Sequence, residues 1–127
     1  MSYRTDYARV AGLGAAKEGV KHWWEMKLTS IALIPLSIFA LWPLGGLIGS
    51  GDPALAAEVY AAPWNAVMMV LFLAVTFRHL QQGVQVVIED YVHDAGRRTI
   101  ALVLNSLLCV FFGLSGVFAV LKIAFSG

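Results

Sequence analysis

The chain has 127 residues, 59% of them hydrophobic and only 13% charged, with a formal net charge of +1 and a mean hydropathy of +0.74. Soluble domains average about 45–50% apolar and about 25% charged residues, so this balance excludes an ordinary soluble domain and points to a membrane protein. No basic stripe marks a nucleic-acid partner, and a single cysteine, Cys109 in an apolar run, excludes an intramolecular disulfide and a thiolate metal cluster.

In chain order, Met1–Lys27 is polar and mixed, and carries five basic residues: Arg4, Arg9, Lys17, Lys21 and Lys27. A signal peptide reaches its apolar core quickly, so this segment is expected to stay in the mature protein. A first apolar stretch runs from about Leu28 to Gly49, with Pro35 inside it and Pro43 near its end, where a kink or early unwinding is expected. The loop Ser50–Pro63 carries only Asp52 and Glu58. A second stretch spans Trp64–Ile88, the loop Glu89–Arg98 brings Arg97 and Arg98, and a third stretch covers Thr99–Phe125. Each holds at least 22 residues, about 33 Å as helix, enough for a hydrocarbon core of about 30 Å. Three strands could not close a barrel in lipid, so helix is the expected state. The expectation is one all-α membrane domain over residues 1–127 with three transmembrane helices. Basic residues bias the first segment and the second loop to the inside, which places the N-terminus in the cytoplasm and the C-terminus in the periplasm. Trp23, Trp24, Trp42 and Trp64 sit near span ends, where indoles favour the headgroup region.

The second stretch carries the chemistry. Arg78 and His79 stand within it, followed by Gly83, and Glu89, Asp90 and Tyr91 stand where it leaves the lipid. An ionisable group at membrane depth costs roughly 2.5–3.5 kcal/mol on insertion scales, so it normally faces a partner, a cofactor or a cavity. At 100° per residue His79, Gln82, Gly83, Val86 and Asp90 share one broad helix face. Gly83 leaves room beside the imidazole, for a flat ligand such as a haem bound through His79 or for a closely packed helix. His79 itself reads as an iron ligand or as a hydrogen-bonding residue between helices. Arg78 can meet haem propionates, snorkel, or pair with a carboxylate on a partner subunit; Lys27 and His22 are the other cationic candidates for propionates. Tyr91 can donate to a quinone carbonyl, with Asp90 and Glu89 supplying protons, or it can simply anchor the interface. His93 and Asp94 read as solvated loop residues, and Cys109 as a small buried hydrophobe. No nucleophilic triad, phosphate-binding loop or zinc motif is visible.

The run His79-(x3)-Gly83-(x6)-Asp90-Tyr91 resembles the second transmembrane helix of the D-type hydrophobic anchor subunit of succinate dehydrogenase, respiratory complex II. Gly12-Leu13-Gly14-Ala15-Ala16-Lys17-Glu18-Gly19-Val20-Lys21-His22-Trp23-Trp24 and Lys27-Leu28-Thr29-Ser30-Ile31-Ala32-Leu33 resemble the segments that precede and enter the first helix in the alphaproteobacterial and mitochondrial-like branch. The resemblance implies an anchor in the bacterial inner membrane, within a succinate:ubiquinone oxidoreductase. Its partners are a cytochrome b-type anchor, an iron–sulfur subunit and a flavoprotein that performs succinate oxidation. It further implies that His79 is an axial ligand of haem b, with Gly83 packing against the haem. Tyr91 then binds ubiquinone and Asp90 serves the quinone site or proton delivery; none of these residues is itself catalytic. Lys27 departs from the arginine common at that position, replacing a planar fork by a point charge. A quinol:fumarate reductase anchor, a haem-binding homodimer and a non-enzymatic three-helix membrane protein are the alternative readings.

Overall fold

Inside lipid the backbone has no water to bond, and this chain answers with helix throughout its apolar stretches. The computed structural model describes residues Thr5, Tyr7, 18–52 and 54–125; the glycine-rich segment 12–17, with Arg4, Arg9 and Lys17, lies outside the described residues. Four helices follow in order: α1 Glu18–Ser50, α2 Ala54–Ala61, α3 Pro63–Tyr91 and α4 Ala95–Phe125. Of these, α1, α3 and α4 are long and apolar enough to cross a membrane.

Two elements differ from the sequence reading. The first helix begins ten residues before Leu28, at Glu18, and runs unbroken through Pro35 and Pro43 to Ser50. At 33 residues it is about 50 Å long and overhangs a hydrocarbon core of about 30 Å. The region read as a plain loop contains α2. Local chemistry sets its ends. Gly51, at φ 65°, closes α1 in the left-handed conformation that favours glycine, and its N–H donates to the Leu47 carbonyl at 3.3 Å. The Asp52 carboxylate then accepts from the Ala54 N–H at 2.9 Å, starting α2. Pro63 opens α3 at a position where its missing N–H costs nothing. At the other end of the bundle, Asp94 caps α4 by accepting from the Arg97 N–H at 2.8 Å.

The three long helices pack up-down-up, α3 touching both α1 and α4. Near α2 the interior is apolar: Ala40 of α1, Tyr60 of α2, Ala66 and Met69 of α3, and Val120 of α4 form one buried cluster. Burial of Tyr60 raises its phenol above the ordinary value, so it stays protonated at neutral pH. Midway along α3 and α4, two glycines let the backbones approach. A Cβ at Gly113 would stand 3.3 Å from the Phe77 Cβ, and one at Gly116 would stand 3.2 Å from the Leu73 Cδ1. Small residues serve this purpose in membrane bundles, where helix association depends on van der Waals fit. The outer surfaces are apolar, with Ile31, Ile34, Phe111, Leu114 and Phe118 all exposed on the chain alone. Gly113→Leu is therefore expected to destabilise the α3–α4 pair by about 1–3 kcal/mol, read as a lower thermal midpoint in detergent. Gly46→Leu, where a Cβ meets nothing within 4 Å, should leave that midpoint unchanged.

Candidate functional site

The opposite half of the bundle is built from polar side chains. Arg78 on α3 reaches α1, where its Nη2 lies 2.6 Å from Glu25 Oε2. The same carboxylate oxygen accepts from Gln82 Nε2 at 2.9 Å. Gln82 is 1% exposed, the one fully buried large side chain among the described residues. Towards α4, Arg78 Nη1 donates to Gln81 Oε1 at 2.8 Å, and Gln81 Nε2 donates to Ser106 Oγ at 3.0 Å. Asn105 Nδ2 donates to the Gln81 carbonyl at 2.9 Å. Buried Cys109 completes the edge with a long contact, 3.6 Å from its Sγ to Asn105 Oδ1. One continuous network thus ties α1 to α3 and α3 to α4. It holds one cation and one anion, so the cluster carries no net charge. Arg78 finds a carboxylate within its own chain, on α1.

His79 belongs to the α1 side of the same helix. Its Nδ1 lies 2.9 Å from Thr29 Oγ1, and the Thr29 hydroxyl also lies 3.0 Å from the carbonyls of Glu25 and Met26. One turn further, Gly83 faces open space: a Cβ there meets nothing within 4 Å. His22, one turn before Glu25 on α1, has a buried Nε2 with no partner among the described residues. The Gln82 Oε1 is likewise buried and unpartnered. These features fit a flat ligand that takes one ligand atom from His79 and lies against Gly83. Among the described residues no three His, Cys, Asp or Glu side chains gather to hold a bare metal ion.

The remaining candidates lie apart from this cluster. α3 ends at Tyr91, where the Val92 N–H donates to the Ile88 carbonyl at 2.9 Å. Tyr91 is 78% exposed, and Asp90 beside it is exposed as well. Glu89 is engaged by Gln85 at 2.8 Å. Twelve residues separate His79 from Tyr91, about 18 Å along the helix axis. Lys27 turns back along α1, its Nζ 5.7 Å from the Trp23 ring centroid, and Trp23 stacks on Trp24 at 6.1 Å. The structure thus brings together Arg78, His79, Gly83 and residues of α1, and leaves Asp90 and Tyr91 at an exposed rim.

Sequence reasoning missed Glu25, Thr29, Asn105 and Ser106 as members of the cluster. Two signals were present: Glu25 and Thr29 stand at i and i+4, the spacing of one helix face, and Asn105-Ser106 is a polar pair inside an apolar run.

A three-span helical bundle, apolar at one end and threaded by a charge-balanced polar network at the other, is the design of a membrane subunit that works through partners or a cofactor. The chain belongs to the succinate dehydrogenase/fumarate reductase transmembrane subunit family, whose model matches residues 1–114. It is 30% identical to the succinate dehydrogenase hydrophobic membrane anchor subunit of Paracoccus denitrificans, over 83% of this chain and 80% of that one. It is 26% identical to the succinate dehydrogenase membrane anchor subunit of Reclinomonas americana, over 74% of this chain and 80% of that one. With the hydrophobic membrane anchor subunit of Rickettsia conorii it shares 22%, over 85% of this chain and 86% of the relative. These relatives place it in the alphaproteobacterial-like branch. No solved structure matches it.

The network yields a test of its own. Glu25→Gln and Arg78→Gln should each lower the thermal midpoint of the detergent-solubilised protein, because each leaves a charge without its partner. The double substitution should recover part of the loss. A double-mutant cycle is expected to give a coupling energy of about 1 kcal/mol or more.

Proposed function

We propose that this chain is the membrane-anchor subunit of a succinate:ubiquinone oxidoreductase in the bacterial inner membrane, where it shares a haem b with a cytochrome b-type anchor and lines part of the ubiquinone site. The observation that carries the reading is His79: its Nδ1 side is occupied by Thr29 and the helix one turn on, at Gly83, is bare. When bound, haem b would supply a one-electron redox centre.

The chain's own residues divide the work. His79 would hold the haem through a ring nitrogen, with the partner anchor supplying the other protein ligand. Gly83 lets the ligand's plane lie against α3. His22, with its unpartnered Nε2, and Lys27 are the groups for propionates, since Arg78 is already matched by Glu25. Tyr91 donates its phenolic proton as a hydrogen bond to a quinone carbonyl. Asp90, beside it and exposed, takes protons from water and passes them to that site. The exposure of Tyr91 supports a site whose remaining walls belong to partner subunits. Succinate oxidation resides on the flavoprotein, and the iron–sulfur subunit delivers electrons to quinone. The basic residues of the first segment and second loop orient this rim, and the N-terminus, to the cytoplasm. The chain serves as a single membrane domain throughout.

Two measurements test this. His79→Ala should remove the b-type signal from the reduced-minus-oxidised spectrum of the purified complex; an unchanged spectrum ends the ligand assignment. Tyr91→Phe should lower succinate:quinone reductase activity tenfold or more, an order-of-magnitude expectation for a lost hydrogen bond to a buried acceptor. Succinate oxidation with a soluble artificial acceptor should persist, and equal loss of both activities would mean that Tyr91 acts through assembly.

A further inference from the structure

The hydroxyl of Thr29 has a single proton and two lone pairs to share among three neighbours. Two of those neighbours are backbone carbonyl oxygens, Glu25 O and Met26 O, each 3.0 Å away. Carbonyl oxygens only accept, so the Thr29 proton must be the one that serves them. The third neighbour, His79 Nδ1 at 2.9 Å, then faces a lone pair of the hydroxyl oxygen. With the Thr29 proton on the carbonyl side, a hydrogen bond at that distance takes its proton from Nδ1. From this we infer that Thr29 is a positioning residue: it holds His79 in the tautomer protonated on Nδ1 and leaves Nε2 with its lone pair exposed for a metal. The inference rests on the haem-ligand reading of His79 and goes beyond it, because it assigns a residue on a different helix to the ligand's chemistry.

The device is stiff. Threonine is branched at Cβ, and its hydroxyl is fixed by the carbonyls one turn back. Bonding to those carbonyls polarises the O–H and makes its oxygen a better acceptor for Nδ1–H. A ligand imidazole whose second nitrogen donates to a fixed acceptor is held in orientation and is more basic at the ligating nitrogen. The opposite tautomer would set the Nε2 proton where a metal must sit. It would also ask the single Thr29 proton to leave both carbonyls. The register of α1 against α3 that brings Thr29 to His79 is the register fixed by Glu25 with Arg78 and Gln82.

The test uses the whole complex, purified in mild detergent with wild-type chain, Thr29→Val, Thr29→Ser, Thr29→Ala or His79→Ala. Haem content is read from the pyridine haemochrome spectrum, and the haem midpoint potential from an optical redox titration. Valine keeps the shape of threonine and removes the acceptor. A less basic ligand favours the ferric form less, so Thr29→Val should raise the midpoint potential or lower haem content several-fold. Serine restores the oxygen and should restore wild-type values. Alanine is the second variant without a hydroxyl, should valine prevent assembly, and it should shift in the same sense. Wild-type content and potential in Thr29→Val or Thr29→Ala would overturn the inference, as would a serine variant displaced like valine. Failure of the haem reading shows separately, as a complex without b-type haem or as haem retained in His79→Ala. Either of these removes both proposals, whereas a silent Thr29→Val beside a haem-less His79→Ala removes only the role of Thr29.

Discussion

An arginine carried among apolar helices needs a counter-charge within reach, and the rest of this bundle is arranged around how that need is met. Glu25 lies on the first helix and Arg78 on the third, so the ion pair pins the register of α1 against α3 at one point. That register sets Thr29 opposite His79 and buries Gln82 between the helices. Gln81, turned towards α4, extends the constraint to Asn105 and Ser106. Apolar packing alone is tolerant of sliding, since one leucine surface meets another almost equally well after a turn. A polar network is not tolerant, because a shift leaves donors and acceptors unmatched in a medium that cannot replace them.

The two halves of the bundle therefore hold together by different means. Near α2, Ala40, Ala66, Met69 and Val120 close on Tyr60, and midway along α3 and α4 Gly113 and Gly116 admit Phe77 and Leu73. Contact there is a matter of shape. In the other half, contact is a matter of pairing, and the space beside Gly83 is left unfilled by the described residues. The firm apolar half keeps the helices together while the polar half stays open at Gly83.

Hydropathy made the three spans legible, and the run from Arg78 to Tyr91 announced the site by placing ionisable residues in an apolar segment. The boundaries were less legible. Lys27 is the last charged residue before the first apolar stretch and suggests a start there, but charge marks a membrane boundary only where it is solvated. Glu25 is paired and bridged to α3, and the helix runs on past it to Glu18. Counting loop charges hid that carboxylate among the basic residues of the N-terminal segment. The short helix α2 was hidden for a different reason. Its alanine-rich sequence has strong helix propensity, but it sits between Pro53 and Pro63, and that punctuation reads as loop. Thr29 was out of reach altogether, because no local pattern reports a contact fifty residues away.

The separation of Glu25 from Arg78 also bears on how the protein is made. Of the three spans, α3 is the least apolar, and it carries the arginine and the histidine that a translocon would accept least readily. Synthesis runs from the N-terminus, so the carboxylate is laid down 53 residues ahead of the guanidinium it will meet. The helix that carries the acceptor, α1, is therefore made before α3. An α3 that meets α1 in the bilayer meets its counter-charge there, which lowers the cost of carrying an arginine in the least apolar span.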